Sequence, residues 1–132
     1  MPKENPIQQK SYAFALKIVG LYKKLAFESR EYVISKQILR SGTSIGANVE
    51  EAIGGQSRRD FGARMVIAYK EARETSYWLR ILRDTKMIDL NIVNELLNDC
   101  EELKRILAKI QKTIYPKNFL ENNEKNIVSN NL

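Results

Sequence analysis

Arg40-Ser41-Gly42-Thr43-Ser44-Ile45-Gly46-Ala47-Asn48-Val49-Glu50-Glu51-Ala52 places two glycines four residues apart inside a helical apolar rhythm. A glycine inside a helix costs about 1 kcal/mol relative to alanine, so another contribution must offset it. Gly42 and Gly46 share one helix face, where the missing side chains let a second helix come close. The stretch predicts a helix over about 32–53 whose seam is Ile34, Ile38, Ser41, Ile45, Asn48 and Ala52, with Gly42, Gly46 and Asn48 as packing residues. Gly54-Gly55 then stops it, as glycine does past a helix end.

Outward from this stretch, apolar residues recur at alternating steps of three and four, and no useful length alternates with period two. The first helix, about 8–28, is expected to bury Tyr12, Ala15, Val19, Tyr22 and Ala26, with Ile18, Leu21 and Leu25 widening that face. Ser57 is the expected N-cap of a third helix over about 58–84, with Asp60 placed to complete a capping box. Its seam is Phe61, Met65, Ala68, Ala72, Thr75, Leu79 and Leu82. A fourth helix, about 90–115 with Asp89 as N-cap, repeats the rhythm through Val93, Leu96, Cys100, Leu103, Leu107, Ile110 and Ile114. Short breaks make sequence neighbours into spatial neighbours. The expected fold is therefore all-α: a single-domain, antiparallel up-and-down four-helix bundle over about 7–115. Residues 116–132 form an Asn-rich tail with six asparagines, expected to be disordered beyond about Leu120.

Composition narrows the function. The 132 residues contain no histidine, which removes the commonest general base and the commonest transition-metal ligand. Glu50, Glu51, Glu71 and Glu74 invite a di-metal reading, but bundles that hold two metals also use Glu-x-x-His pairs. No metal or other cofactor is expected. Cys100 is the lone cysteine and occupies a seam position, which favours packing over reactivity. Gly54-Gly55-Gln56-Ser57-Arg58 lacks the lysine and the preceding strand of a phosphate-binding loop. The segment Met1 to Lys10 has no apolar block suited to a signal peptide, and no run is long enough to span a bilayer. A cytoplasmic protein without membrane contact, and no small-molecule substrate, is the expectation.

The net charge of +6 is concentrated in the third helix, where Arg58 to Arg83 carries seven basic residues against three acidic ones, a surplus of +4. Turning each residue 100° from the last separates an outer stripe of Arg59, Lys70, Arg73, Tyr77 and Arg80 from a flank of Ala63, Ile67, Glu74, Trp78 and Ile81. The stripe suits phosphate oxygens, with Tyr77 available to stack on a base. A charged helix also simply faces water, and Glu71 and Glu74 offer carboxylates for ordinary pairs with Arg73 or Arg40. The flank reads as a subunit contact, or as a strip covered by the first helix or the N-terminal arm of the same chain.

Three motifs in order, the opening Arg40–Ala52 run, Ser57-Arg58-Arg59-Asp60-Phe61, and Lys70-Glu71-Ala72-Arg73-Glu74-Thr75-Ser76-Tyr77-Trp78-Leu79-Arg80, resemble the bacterial four-helix-bundle proteins named for open reading frames in 23S rRNA intervening sequences. The resemblance covers roughly Tyr12 to Ile114. It implies a bundle that assembles into a ring, with a homopentamer expected. It also implies kinship with the accessory protein of diversity-generating retroelements, a basic pentameric barrel that binds nucleic acid and a reverse transcriptase. Ser41, Gly42, Asn48, Glu50, Phe61, Lys70, Glu71, Glu74, Thr75 and Trp78 look structural in this light, and no catalytic residue carries over. The leading expectation is a non-enzymatic homo-oligomer that contacts RNA, ribosomal RNA included, or DNA. A protein-interaction scaffold or accessory subunit without nucleic-acid contact is the alternative.

Overall fold

The computed structural model describes residues 5–116; the expectation for the tail lies outside them apart from Pro116. Four helices follow in order: α1 (Pro6–Lys23), prolonged by one π-helical turn (Lys24–Glu28), then α2 (Ile34–Ile53), α3 (Arg58–Asp84) and α4 (Leu90–Ile114). Each packs antiparallel to the next, and α1 closes against α4, giving an up-and-down bundle with no strand among the described residues. The core runs the length of the bundle through Phe14, Ile18, Ile38, Ile45, Met65, Leu79, Leu103 and Leu107, all essentially inaccessible to water.

Local chemistry fixes the ends. The Asn5 side chain accepts from the Ile7 amide at 3.1 Å, and Pro6 sits at the first helical position, where its missing N–H removes no bond. Ser57 caps α3 by accepting from Asp60 N at 3.0 Å, and Asp89 caps α4 by accepting from Asn91 N at 2.8 Å. The start of α2 is held by Glu31, in the break after α1. The Glu31 carboxylate accepts from the amides of Val33, Ile34 and Ser35 at 3.0, 2.9 and 2.7 Å. Partial burial works against its charge, but these three donors prevail and lower its pKa.

Helix ends also depart from the glycine rule. Gly54 ends α2 with φ −80°, and no described glycine has positive φ. The left-handed positions belong instead to Arg30 (φ 53°) and Lys86 (φ 58°). At Lys86 the bonds from Met87 N to Leu82 O (3.0 Å) and from Lys86 N to Arg83 O (3.1 Å) make a Schellman ending without glycine.

The expected face of α1 is corrected. The buried seam is Ile7, Ser11, Phe14, Ile18, Leu21 and Leu25, whereas Tyr12 is exposed and Ala15, Val19 and Tyr22 are only half-buried. Of the five residues assigned to that face, Ala26 alone is buried. Phe14 and Ile18 present more apolar area than Tyr12 and Ala15, and α2 offers a glycine where Ile18 lands. A Cβ on Gly42 would come within 2.8 Å of both γ carbons of Ile18, and one on Gly46 within 3.3 Å of the Ser11 carbonyl oxygen. The two glycines therefore admit one side chain and one backbone segment of α1. Asn48 faces the other way, donating to Ser44 O at 2.8 Å while its Oδ1 accepts from Arg64 on α3.

Between α2 and α3 the hydroxyls of Ser41 and Thr75 meet at 2.9 Å in the core, with Thr75 Oγ1 also 2.8 Å from the Glu71 carbonyl. These polar groups are thus satisfied without water. Cys100 is buried and its thiol donates to the Ala72 carbonyl at 3.2 Å. Burial pushes that thiol up to about 12, so it packs and does not react at neutral pH.

Candidate functional site

The outer face of α3 is where the surplus of positive charge meets solvent. Arg59, Lys70, Arg73, Tyr77 and Arg80 are all exposed. Lys70, Arg73, Tyr77 and Arg80 follow one another at steps of three, four and three, so they form one line about 15 Å long on a rigid helix. Arg59 lies apart, about 16 Å back along the helix from Lys70. Tyr77 anchors the line: its ring meets Trp78 edge-on at 5.1 Å, and the Arg80 guanidinium stands 6.0 Å from its centre.

The carboxylates adjacent in sequence do not neutralise this line. Arg40, reaching from α2, forms a 3.0 Å ion pair with Glu71 and a second with Glu74, and Trp78 Nε1 donates to the same Glu74 oxygen at 3.1 Å. Partial burial opposes the Arg40 charge, yet both glutamates together raise its pKa. Glu71 and Glu74 are thereby drawn to the α2 side of α3. Among the described residues, Arg59, Lys70, Arg73 and Arg80 have no carboxylate within 4.0 Å; Arg64 instead pairs with Glu51 at 2.7 Å and Arg83 with Asp84 at 2.8 Å.

The flank is brought together only in part. Trp78 is half-buried and packed against the core, and Glu74 is tied to Arg40 and Trp78 in the same chain. Ile81 is half-buried, while Ala63 is exposed and Ile67 is 39% exposed. Among the described residues, helix α2 lies beside this strip, through the Arg40–Glu74 and Glu51–Arg64 pairs.

Two other features escaped the sequence. Gly62 receives the Tyr115 hydroxyl: a Cβ there would overlap the ring, so the end of α4 is seated on α3. Exposed Phe27, Tyr32 and Val33 gather at the α1–α2 corner. The local signal for the first was a glycine in mid-helix, but nothing in the sequence names its partner. Among the described residues no three acidic, cysteine or histidine side chains converge to hold a metal, and no helix is long and apolar enough to cross a membrane.

Residues 3–109 match the model of the 23S rRNA-intervening sequence protein family. The chain belongs to that family. A 23S rRNA-intervening sequence protein fold is what its four antiparallel helices and motif order display. A crystal structure of a Bacteroides thetaiotaomicron protein from the S23 ribosomal protein family, itself of unknown function, is 50% identical to it. The similarity covers 80% of this chain and 98% of that one, with a TM-score of 0.78. No curated protein matches the chain.

Proposed function

We propose that this protein is a non-enzymatic, cytoplasmic homo-oligomer that binds nucleic acid through the outer face of α3, with Arg59, Lys70, Arg73 and Arg80 as phosphate contacts. The observation that carries the reading is the Arg40 clamp on Glu71 and Glu74, which leaves Lys70 and Arg73 without counter-ions among the described residues, next to Arg80. Unpaired cations on a rigid helix release condensed counter-ions when they meet phosphates, and this drives association. The family description, with its reference to 23S rRNA, makes ribosomal RNA a natural first ligand to try. Ring assembly, a pentamer by family resemblance, would repeat the line around the ring and multiply weak contacts. The exposed Ala63 and Ile67 at the edge of the flank are available for that assembly, with Ile81 and Trp78 behind them.

The test is fluorescence anisotropy with labelled RNA and DNA across a salt series. Arg73→Glu combined with Arg80→Glu should abolish binding at low salt. Single alanine variants of Arg59, Lys70, Arg73 or Arg80 should each give a log–log slope flatter than wild type by about 0.9 on duplex or 0.7 on single strands. Absence of binding to both nucleic acids at low salt overturns the proposal. Arg40→Ala gives an independent check, because released Glu71 and Glu74 would compete for Lys70 and Arg73 and weaken binding while the fold persists.

The second reading, a scaffold for another protein, is favoured by Phe27 and Val33, each 73% exposed at the α1–α2 corner. On that reading Arg73→Glu with Arg80→Glu leaves cellular function intact, and Phe27→Ser with Val33→Ser removes it.

A further inference from the structure

We infer that the nucleic acid taken by this face is single-stranded, with one unpaired base stacked on Tyr77 and its neighbouring phosphates on Lys70, Arg73 and Arg80. The inference rests on the nucleic-acid reading above.

Helix α3 stands at a corner of the bundle, packed on one side by α2 and on the other by α4, so only its outermost stripe projects. Packed helices stand about 8–10 Å apart, so each two-helix face that includes α3 is wider than the roughly 12 Å major groove of B-form DNA. The major groove of A-form RNA is deeper and narrower still, and its shallow minor groove presents 2′-hydroxyls and edges of bases that remain paired and stacked. Against any duplex, then, the line can meet phosphates, but the ring of Tyr77 has no base face to cover.

The arrangement around Tyr77 is that of a stacking platform. Tyr77 is 51% exposed, and Trp78, half-buried and hydrogen-bonded to Glu74, meets its ring in a T-shaped contact. Arg80 adds a cation at 6.0 Å from the ring centre, and Arg73 precedes Tyr77 by one helical turn on the same line. An aromatic ring held in place between cations is how proteins bind single strands without reading their sequence, because every base has a face to stack. Paired with Arg40's removal of the nearby carboxylates, this gives one base site with cations on both sides along the helix.

The experiment compares labelled oligo-uridine and oligo-thymidine of about a dozen nucleotides with the same strands annealed to their complements, using the full chain at low salt. Single strands should bind tighter than duplexes, and the stronger of the two single-stranded arms identifies RNA or DNA. Tyr77→Leu should weaken single-strand binding by about 5- to 150-fold, the factor expected for losing one base stack, whereas Tyr77→Phe should retain it. Circular dichroism checks that the exposed substitution leaves the helices intact. If Tyr77→Leu binds like wild type, or duplexes bind as well as single strands, while Arg73→Glu with Arg80→Glu still abolishes binding, the single-strand inference falls and the nucleic-acid reading stands. If wild type binds neither form, both fall.

Discussion

Helix α1 is held on its two sides by opposite physics. Toward α2 it meets Gly42 and Gly46, and Ile18 and the Ser11 carbonyl fill the space where side chains are missing. Toward α4 it meets carboxylates: Lys17 pairs with Glu95 and with Asp99 at 2.8 Å each, and Lys10 pairs with Glu102 at 2.8 Å. That second seam also leaves a cavity of about 300 Å³ lined by Gly20, Leu21, Ile92 and Leu96, with Lys17 and Lys24 beside it. The α2 side depends on shape and leaves no room for an added atom at Gly42, whereas the α4 side carries exposed ion pairs that solvent screens. Burial, not charge, decides where this bundle is fixed.

The largest effects should come from the α2 side. Ile18→Ala should cost about 2–5 kcal/mol by removing a fully buried side chain. In that background Gly42→Ala should become neutral or stabilising, because the γ carbons it would strike are gone. A double-mutant cycle by urea denaturation measures the coupling, and simple additivity would show that the glycine and the isoleucine do not share the space. Gly46→Ala should matter less, changing stability by no more than about 1 kcal/mol, since its 3.3 Å approach requires only a small shift and alanine favours the helix.

The smallest effect should lie on the α4 side. Lys17→Ala should cost no more than about 1 kcal/mol, and added salt should shrink the difference. Hydrogen bonds to Asp99 first and Glu95 second raise Lys17 to about 12 from 10.5. A raised lysine pKa favours the folded state at every pH below the unfolded value of 10.5, and the contribution is lost as pH climbs toward 12. Wild type and Lys17→Ala should therefore converge in stability over that alkaline interval and differ by a constant amount at neutral pH. A constant difference persisting above pH 12 would assign the effect to packing of the lysine stem.

Which parts of this were legible in the sequence follows from where the information resides. The seams of α3 and α4 could be read residue by residue, since in each one buried stripe keeps its steps of three and four unbroken, from Met65 to Leu82 and from Val93 to Leu107. Helix α1 carries more than one: Tyr12, Val19 and Tyr22 keep the same rhythm as Phe14, Ile18 and Leu21, and only the position of Gly42 and Gly46 on another helix selects between them. The glycine pair announced a close approach without naming what approaches. The Glu31 cap was hidden because its carboxylate reaches forward past Tyr32 to donors on three successive residues, Val33, Ile34 and Ser35.

At the candidate site, the sequence supplied the basic line and offered Arg40 or Arg73 as partners for Glu71 and Glu74. The choice of Arg40 needed the packing of α2 on α3, and that choice is what leaves the line uncompensated. The flank was legible as an apolar strip, but its partial cover by α2 was not.

A glycine here is defined by what stands opposite it. A Cβ added at Gly42 would stand 2.8 Å from Ile18, whereas one at Gly20, on α1 at the edge of the α4 cavity, would meet nothing within 4 Å. Urea denaturation of Gly42→Ala and Gly20→Ala beside wild type measures this directly. Gly42→Ala should lose about 1–2 kcal/mol, overpacking outweighing helix propensity, while Gly20→Ala should gain about 1 kcal/mol. Shifts of the same sign for both would mean that helix propensity alone governs these positions and that the close α1–α2 approach does not organise the fold.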